Sequence, residues 1–106
     1  MQRVGIRQYS GNAGETVTVT TQVKGSGAVK FRLNGKDQAA SSSFEFQLQG
    51  NPGNTTELSI ALFGEVGSTC DVSIRTVDGG ADSDVLLSTQ HNPFPVHPYK
   101  FVIAGL

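Results

Sequence analysis

The sequence predicts an all-β protein, a single antiparallel β-sandwich domain over residues 1–106 with about seven or eight strands. Apolar and polar residues alternate with a period of two along most of the chain, as in strands with one buried face. Turn-forming residues recur about every ten residues, and no segment has the i, i+3, i+4, i+7 spacing of an amphipathic helix. We expect an immunoglobulin-like or jelly-roll arrangement, with a partly open barrel as the alternative.

The first half of the chain carries the most regular strands. RVGIRQY places Val4 and Ile6 two residues apart, which indicates an edge strand over Arg3 to Tyr9. TVTVTTQV has mainly valines on one face and mainly threonines on the other, as in a half-buried strand. AVKFRLNGK alternates again and ends in Asn34-Gly35, a pair that accepts positive φ and favours a hairpin turn. SFEFQLQ follows, with its two phenylalanines and its leucine facing the core.

The second half is less regular but keeps the same period. GNPGN is a loop by composition, and ELSIALF and TCDVSIRTV alternate again. The single cysteine, Cys70, shares its strand face with Val72 and Ile74, so we expect a small buried hydrophobic side chain. DVLLST is a shorter strand, and the three prolines of HNPFPVHP exclude a central strand there. YKFVIAGL closes the fold.

Composition limits the classes of function. Charged residues are 16% of the chain, below the roughly 25% of an average soluble protein, and the net charge is −1. Such a chain lacks the basic surface that nucleic acid needs. No apolar run approaches the roughly 18 residues of a membrane helix, and residues 1–20 lack the apolar core of a signal peptide. These observations fit a cytoplasmic protein or an excised extracellular domain.

One segment carries a family resemblance. GETVTVTTQVKGSGAVKFRLNGK, Gly14 to Lys36, resembles the B-to-C segment of bacterial immunoglobulin-like domains, where an alternating Val/Thr strand, a Gly/Ser turn and a strand ending in Asn-Gly recur. The resemblance covers about a fifth of the chain. It implies a sandwich with a spacer or adhesion role and transfers no functional residue. The chain departs from antibody-type domains because it has no tryptophan and no cysteine pair.

The stretch VDGGADSDV raises the question of a metal site. Its three carboxylates, Asp78, Asp82 and Asp84, are oxygen ligands of the kind calcium prefers, and the adjacent glycines would let the chain wrap an ion. The EF-hand order is absent, although the cluster has a faint likeness to the acid-rich loops of small calcium-dependent bacterial lectins. The alternative is an exposed hairpin turn in which the aspartates form the turn and keep the sheet edge soluble.

The stretch HNPFPVHPYK is the second candidate site. His91 and His97 could bind zinc, but only carboxylates remain to complete the ligand set. A proline-stiffened loop with Phe94 tucked into the core is the alternative. In a variant of that arrangement Phe94 and Tyr99 are exposed beside His97, and their rings stack on a sugar or fill a pocket of a partner.

No catalytic motif is recognisable, so we expect a protein that is not an enzyme. The first hypothesis is a non-catalytic interaction or structural module. It would bind another protein, or its own copies, through loops or by strand addition at the edge over Arg3 to Tyr9. The second is a small carbohydrate-binding module, calcium-dependent if the aspartates hold the ion and with no other cofactor expected.

Overall fold

The computed structural model describes residues 1–38, 42–76, 81–88 and 96–104. Every regular element within these ranges is a strand, so the all-β prediction is confirmed. None of the described residues belongs to a helix that is long and apolar enough to cross a membrane. The strands are β1 (Gln2–Gly5), β2 (Gln8–Gly11), β3 (Thr16–Lys24), β4 (Gly27–Leu33), β5 (Lys36–Asp37), β6 (Ser43–Gln47), β7 (Thr55–Gly64), β8 (Thr69–Thr76), β9 (Ala81–Leu87) and β10 (Val96–Ile103).

These strands form two sheets. The six-stranded sheet has the order β1-β2-β10-β7-β4-β5, and the four-stranded sheet has the order β6-β3-β8-β9. Neighbouring strands are antiparallel except β2 and β10, which are parallel. Strands β1, β5, β6 and β9 are therefore the edges, and β9 lies at one end of the smaller sheet.

The N-terminal segment differs from the single edge strand that the sequence predicts. It is a hairpin in which β1 is the edge and β2 is an interior strand between β1 and β10. The register passes from Arg3↔Tyr9 to Gly5↔Gln8, so Val4 is a bulge. The turn contains Arg7 at a φ of +54°, a left-handed conformation that a long side chain rarely adopts.

The hairpin predicted at Asn34-Gly35 is confirmed. Leu33 pairs with Lys36, which leaves a two-residue loop between β4 and β5. Asn34 has a φ of +50° and Gly35 a φ of +81°. Positive φ at both central residues is the geometry whose twist matches that of the flanking strands, and asparagine followed by glycine tolerates it best.

One buried cluster joins the two sheets. Rings from the two sheets touch directly: Phe46 of β6 lies edge-on to Phe101 of β10 at 5.2 Å, and Phe44 of β6 stacks on Phe31 of β4 at 5.4 Å. Burying each such side chain contributes about 1.5–3 kcal/mol. The alternation in the sequence identifies most members of the cluster, which are Tyr9, Val17, Val19, Phe31, Phe46, Leu48, Leu58, Ile60, Leu62, Cys70, Val72, Ile74, Leu86, Tyr99, Phe101 and Ile103.

Cys70 lies in this cluster at 0% exposure, as predicted, and burial raises the pKa of its thiol to about 11. The thiolate is the reactive form, so the folded protein should resist alkylation. We expect less than roughly 10% modification by iodoacetamide at pH 8 in one hour, and complete modification in concentrated urea. Intact-mass measurement of the two samples checks this. Equal labelling in both would show that the thiol is accessible in the folded state.

Candidate functional site

Strand β9 places two of the predicted metal-binding aspartates inside a sheet. Asp82 pairs with Ile74 and Asp84 with Val72, and both partners are buried core residues. Because side chains alternate across a strand, Asp82 and Asp84 face the same side as the buried Leu86. The interpretation of Asp82 as a residue of a hairpin turn is therefore wrong, whereas Asp84 lies in a strand, as DVLLST predicts. Both aspartates point inward from an edge strand, a device that protects sheet edges.

Asp84 is bonded to the six-stranded sheet. Its Oδ2 accepts hydrogen bonds from the Arg7 Nε at 2.8 Å and from the Tyr99 hydroxyl at 2.9 Å. Its Oδ1 accepts the backbone N–H of Val85 at 2.9 Å. The Arg7 guanidinium also lies 5.9 Å from the centre of the Tyr99 ring, in range for a cation–π contact. Arg7 thus holds both the carboxylate and the ring.

Asp82, two residues before Asp84 on the same face of β9, makes a similar set of contacts. Its Oδ2 accepts the Tyr9 hydroxyl at 2.8 Å and the Arg3 Nη1 at 3.0 Å, and its Oδ1 accepts the backbone N–H of Ser83 at 2.9 Å. The two units join β9 of the four-stranded sheet to β1, β2 and β10 and to the β1–β2 turn. We call this set the carboxylate clamp, and its six members are Arg3, Arg7, Tyr9, Asp82, Asp84 and Tyr99.

The protonation states follow from these contacts. Burial alone would raise the pKa of Asp84, but the hydrogen bonds from Tyr99 and Val85 and the charge of Arg7 outweigh it, so that pKa lies below its ordinary value. Burial, followed by the hydrogen bond to an aspartate, raises the pKa of Tyr9 and of Tyr99. At neutral pH both phenols therefore stay protonated donors and the Asp84 carboxylate stays an acceptor. Such an arrangement holds the two sheets together.

The oxygen atoms of Asp82 and Asp84 are poorly suited as calcium ligands. The Oδ2 atoms of Asp82 and Asp84 are already bonded to guanidinium groups, whose positive charge competes with a cation. The described part of the chain contains no group of three or more His, Cys, Asp or Glu side chains that could hold a metal. Asp78 lies outside the described residues, so calcium binding by all three aspartates stays a prediction.

The second candidate site is divided between described and undescribed residues. Tyr99 lies in β10 at 0% exposure and bonds Asp84, so its ring offers no face on which a sugar could stack. The half-buried His97 lies on the same face of β10, and burial, then the charge of Arg7, lowers its pKa. Its Nε2 is buried without a hydrogen-bond partner among the described residues. His91 and Phe94 fall outside those residues, so zinc binding and a Phe94 contact stay predictions.

The sequence analysis missed the basic and phenolic partners of the aspartates. Arg3 and Arg7 come from a segment 77 or more residues away from the carboxylates they bind. A local signal did exist for the aspartates, because Asp82, Asp84 and Leu86 continue a period of two into a residue that is clearly apolar. Comparison of the chain with models of protein families, with characterised proteins and with solved structures finds no match.

Proposed function

We propose that this protein is a non-catalytic interaction module that contacts a second copy of itself through the N-terminal hairpin, Gln2 to Gly11. The observation that carries the proposal is the exposure of two apolar side chains on this hairpin. Val4 is 56% exposed and Ile6 81% exposed. The carboxylate clamp bonds the hairpin at three residues, Arg3, Arg7 and Tyr9, so these side chains are presented on a fixed support. A surface that is already ordered loses less conformational freedom on binding.

The other edges are less suitable for a contact. In β9, the Ser88 N–H bonds the Ser68 carbonyl, so even-numbered residues face β8 and odd-numbered ones face the open edge. The outward amides of Ser83 and Val85 are then the ones already bonded to Asp82 and Asp84. Strand β5 has two residues, and β6 presents the polar sequence SFEFQ with its serine, glutamate and glutamine exposed. Strand β9 also exposes two apolar side chains, Val85 at 59% and Leu87 at 49%. Ile6 of the hairpin, at 81%, is more exposed than either, which favours the hairpin as the contact.

Contact through side chains is favoured over strand addition. The bulge at Val4 interrupts the regular ladder that an added strand would need. Tyr9 lies in β2, whose backbone is paired on both sides, so the segment from Arg3 to Tyr9 cannot accept a strand along its whole length. Two hairpins related by a two-fold axis would instead bury Val4 and Ile6 of each copy against the same residues of the other.

The expected affinity is low. Burying four such side chains contributes about 6–12 kcal/mol at most, at about 1.5–3 kcal/mol each. Association costs at least about 4 kcal/mol in lost freedom and often much more. The difference is at most about 2–8 kcal/mol, and the middle of this range corresponds to a dissociation constant on the order of 0.1–1 mM.

Sedimentation velocity from about 0.01 to 1 mM tests the proposal. We expect a monomer–dimer equilibrium in the unmodified chain and its loss in the double variant Val4→Lys/Ile6→Lys, because the two added charges on each copy would face the two on the other. Val66→Lys is the matched control, since Val66 is 51% exposed but lies between β7 and β8. A chain that stays monomeric throughout, or a double variant that dimerises like the control, would contradict the proposal.

We also infer that the two sheets form a sandwich of the immunoglobulin-like or jelly-roll type. The support is the direct contact of rings from both sheets, Phe46 with Phe101 and Phe31 with Phe44. Side chains that interdigitate between two inner faces are the feature that defines sandwiches. An immunoglobulin-like sandwich would agree with the spacer or adhesion role of the bacterial domains that Gly14 to Lys36 resembles.

A further inference from the structure

The outer face of the six-stranded sheet carries a pocket of about 200 Å³. Its floor is formed by small residues of the central strand β7, Ser59 and Ala61, so the larger side chains of the neighbouring strands stand above it as walls. The register places Ala61 between Lys30 of β4 and Val96 of β10, and places Ser59 beside Arg32. The full lining is Lys30, Arg32, Asp37, Ser59, Ala61, Phe63 and Val96.

One wall of the pocket is charged and has an excess of positive charge. Asp37 accepts a hydrogen bond from the Arg32 Nε at 2.7 Å and pairs with the Lys30 Nζ at 3.3 Å. Two cations against one carboxylate leave one positive charge on this wall. The hydrogen bond from Arg32, then that from Lys30, lowers the pKa of Asp37, so the carboxylate is ionised at neutral pH and is available as an acceptor for hydroxyl groups.

The rest of the pocket wall is apolar. Phe63 is 38% exposed and Val96 59% exposed, and both line the pocket with Ala61. An aromatic ring beside planar charged groups can contact the apolar C–H face of a sugar while the charged groups bond its hydroxyls. The volume lies below the roughly 300–1,000 Å³ of sites for drug-sized ligands, so the occupant is a single ring.

We propose that this pocket binds an acidic sugar, a uronic acid residue. The sugar carboxylate pairs with Arg32 and Lys30, its apolar face packs on Phe63, and its hydroxyls bond Ser59 and Asp37. The net positive charge favours a carboxylate-bearing ring over a neutral one. Sugar binding by this pocket is independent of the hairpin contact. The pocket is formed by residues of β4, β5, β7 and β10 and shares no residue with β1 or β2.

Titration of the isotope-labelled protein with glucuronate, followed by amide chemical shifts in NMR spectra, tests the proposal. The protein concentration is kept low enough for the protein to be monomeric. Glucose, acetate and a short glutamate peptide serve as comparison ligands. We expect saturable shifts centred on Lys30, Ser59 and Ala61, with an affinity for glucuronate about tenfold above those for glucose and acetate. Equal affinity for glucose, acetate or the glutamate peptide would overturn the proposal, as would shifts centred elsewhere.

Variants separate the two parts of the site. The double variant Lys30→Gln/Arg32→Gln should lower the affinity for glucuronate about tenfold. Phe63→Ser should lower the affinity for glucuronate to that for acetate. Lys24→Gln is the control, because Lys24 pairs with Asp71 on the four-stranded sheet. This variant should leave the titration unchanged. Melting curves establish that each variant is folded before titration. Undiminished binding in the double variant or in Phe63→Ser would also overturn the proposal.

Discussion

Replacing Asp84 with alanine is expected to destabilise the protein by about 2–3 kcal/mol, which lowers the melting temperature by about 8–20 °C. The loss has two sources. Arg7 and Tyr99 lose their shared acceptor, and a guanidinium whose side chain is 27% exposed is left with its charge uncompensated. The same ion pair also supports the positive φ of Arg7. Thermal and urea unfolding followed by circular dichroism measure the change.

The control for Asp84→Ala is Asp71→Ala on the neighbouring strand β8. Asp71 pairs with Lys24 at 3.2 Å, and the two side chains are 42% and 66% exposed. Exposed pairs of this kind contribute about 0–1 kcal/mol because water screens them and both side chains must be ordered. Equal losses in the two variants would mean that the carboxylate clamp adds nothing beyond a surface ion pair.

The dependence of this loss on pH is a second readout. A carboxyl group whose pKa is lowered in the folded state stabilises that state above its unfolded pKa of roughly 3.9. The contribution disappears as the pH falls through the lower folded pKa of Asp84. The stability difference between the unmodified chain and Asp84→Ala should therefore be constant from about pH 5 to 8 and shrink below about pH 4. A difference that did not shrink in acid would assign the loss to packing instead of charge.

The sequence predicts the core well because the information is local. Each strand with a regular period of two, such as TVTVTTQV or SFEFQLQ, specifies which face is buried without reference to the rest of the chain. The same logic extends to Asp82 and Asp84, but the density of glycine and aspartate in VDGGADSDV favours a turn more strongly than the alternation favours a strand. Composition therefore gave the wrong local structure at Asp82, which lies in β9.

The partners of these aspartates could not be predicted for a different reason. Whether Arg3 and Arg7 meet Asp82 and Asp84 depends on which strands become neighbours, and no local pattern encodes the order β1-β2-β10. The hairpin turn at Arg7 shows the same limit. Arginine disfavours positive φ, and the turn is held by tertiary contacts, the Asp84 ion pair and the Lys100 N–H bonded to the Arg7 carbonyl at 2.9 Å.

A second large effect is expected at Gly64, where β7 ends against β4. Gly64 pairs with Gly27, and a Cβ at position 64 would collide with the Ser26 carbonyl oxygen and lie 3.0 Å from the Gly27 Cα. Both obstacles are backbone atoms, and that carbonyl also accepts hydrogen bonds from the Glu65 N–H at 3.3 Å and the Ser68 hydroxyl at 3.1 Å. Moving it would disturb both bonds. Gly64→Ala should therefore cost about 3 kcal/mol.

Gly5→Ala is the matched control for Gly64→Ala, because it also places a methyl group on a strand glycine without a positive φ. Its Cβ would approach the Gln8 Oε1 at 3.1 Å, and that atom is the end of a flexible side chain that can rotate away. We expect a change within about 0.5 kcal/mol there, against a melting temperature lowered by about 12–20 °C for Gly64→Ala. Urea unfolding of both variants measures the contrast. Equal losses of unfolding free energy in the two variants would show that the close approach of β4 and β7 does not require glycine at position 64. The loss would then reflect general strand propensity.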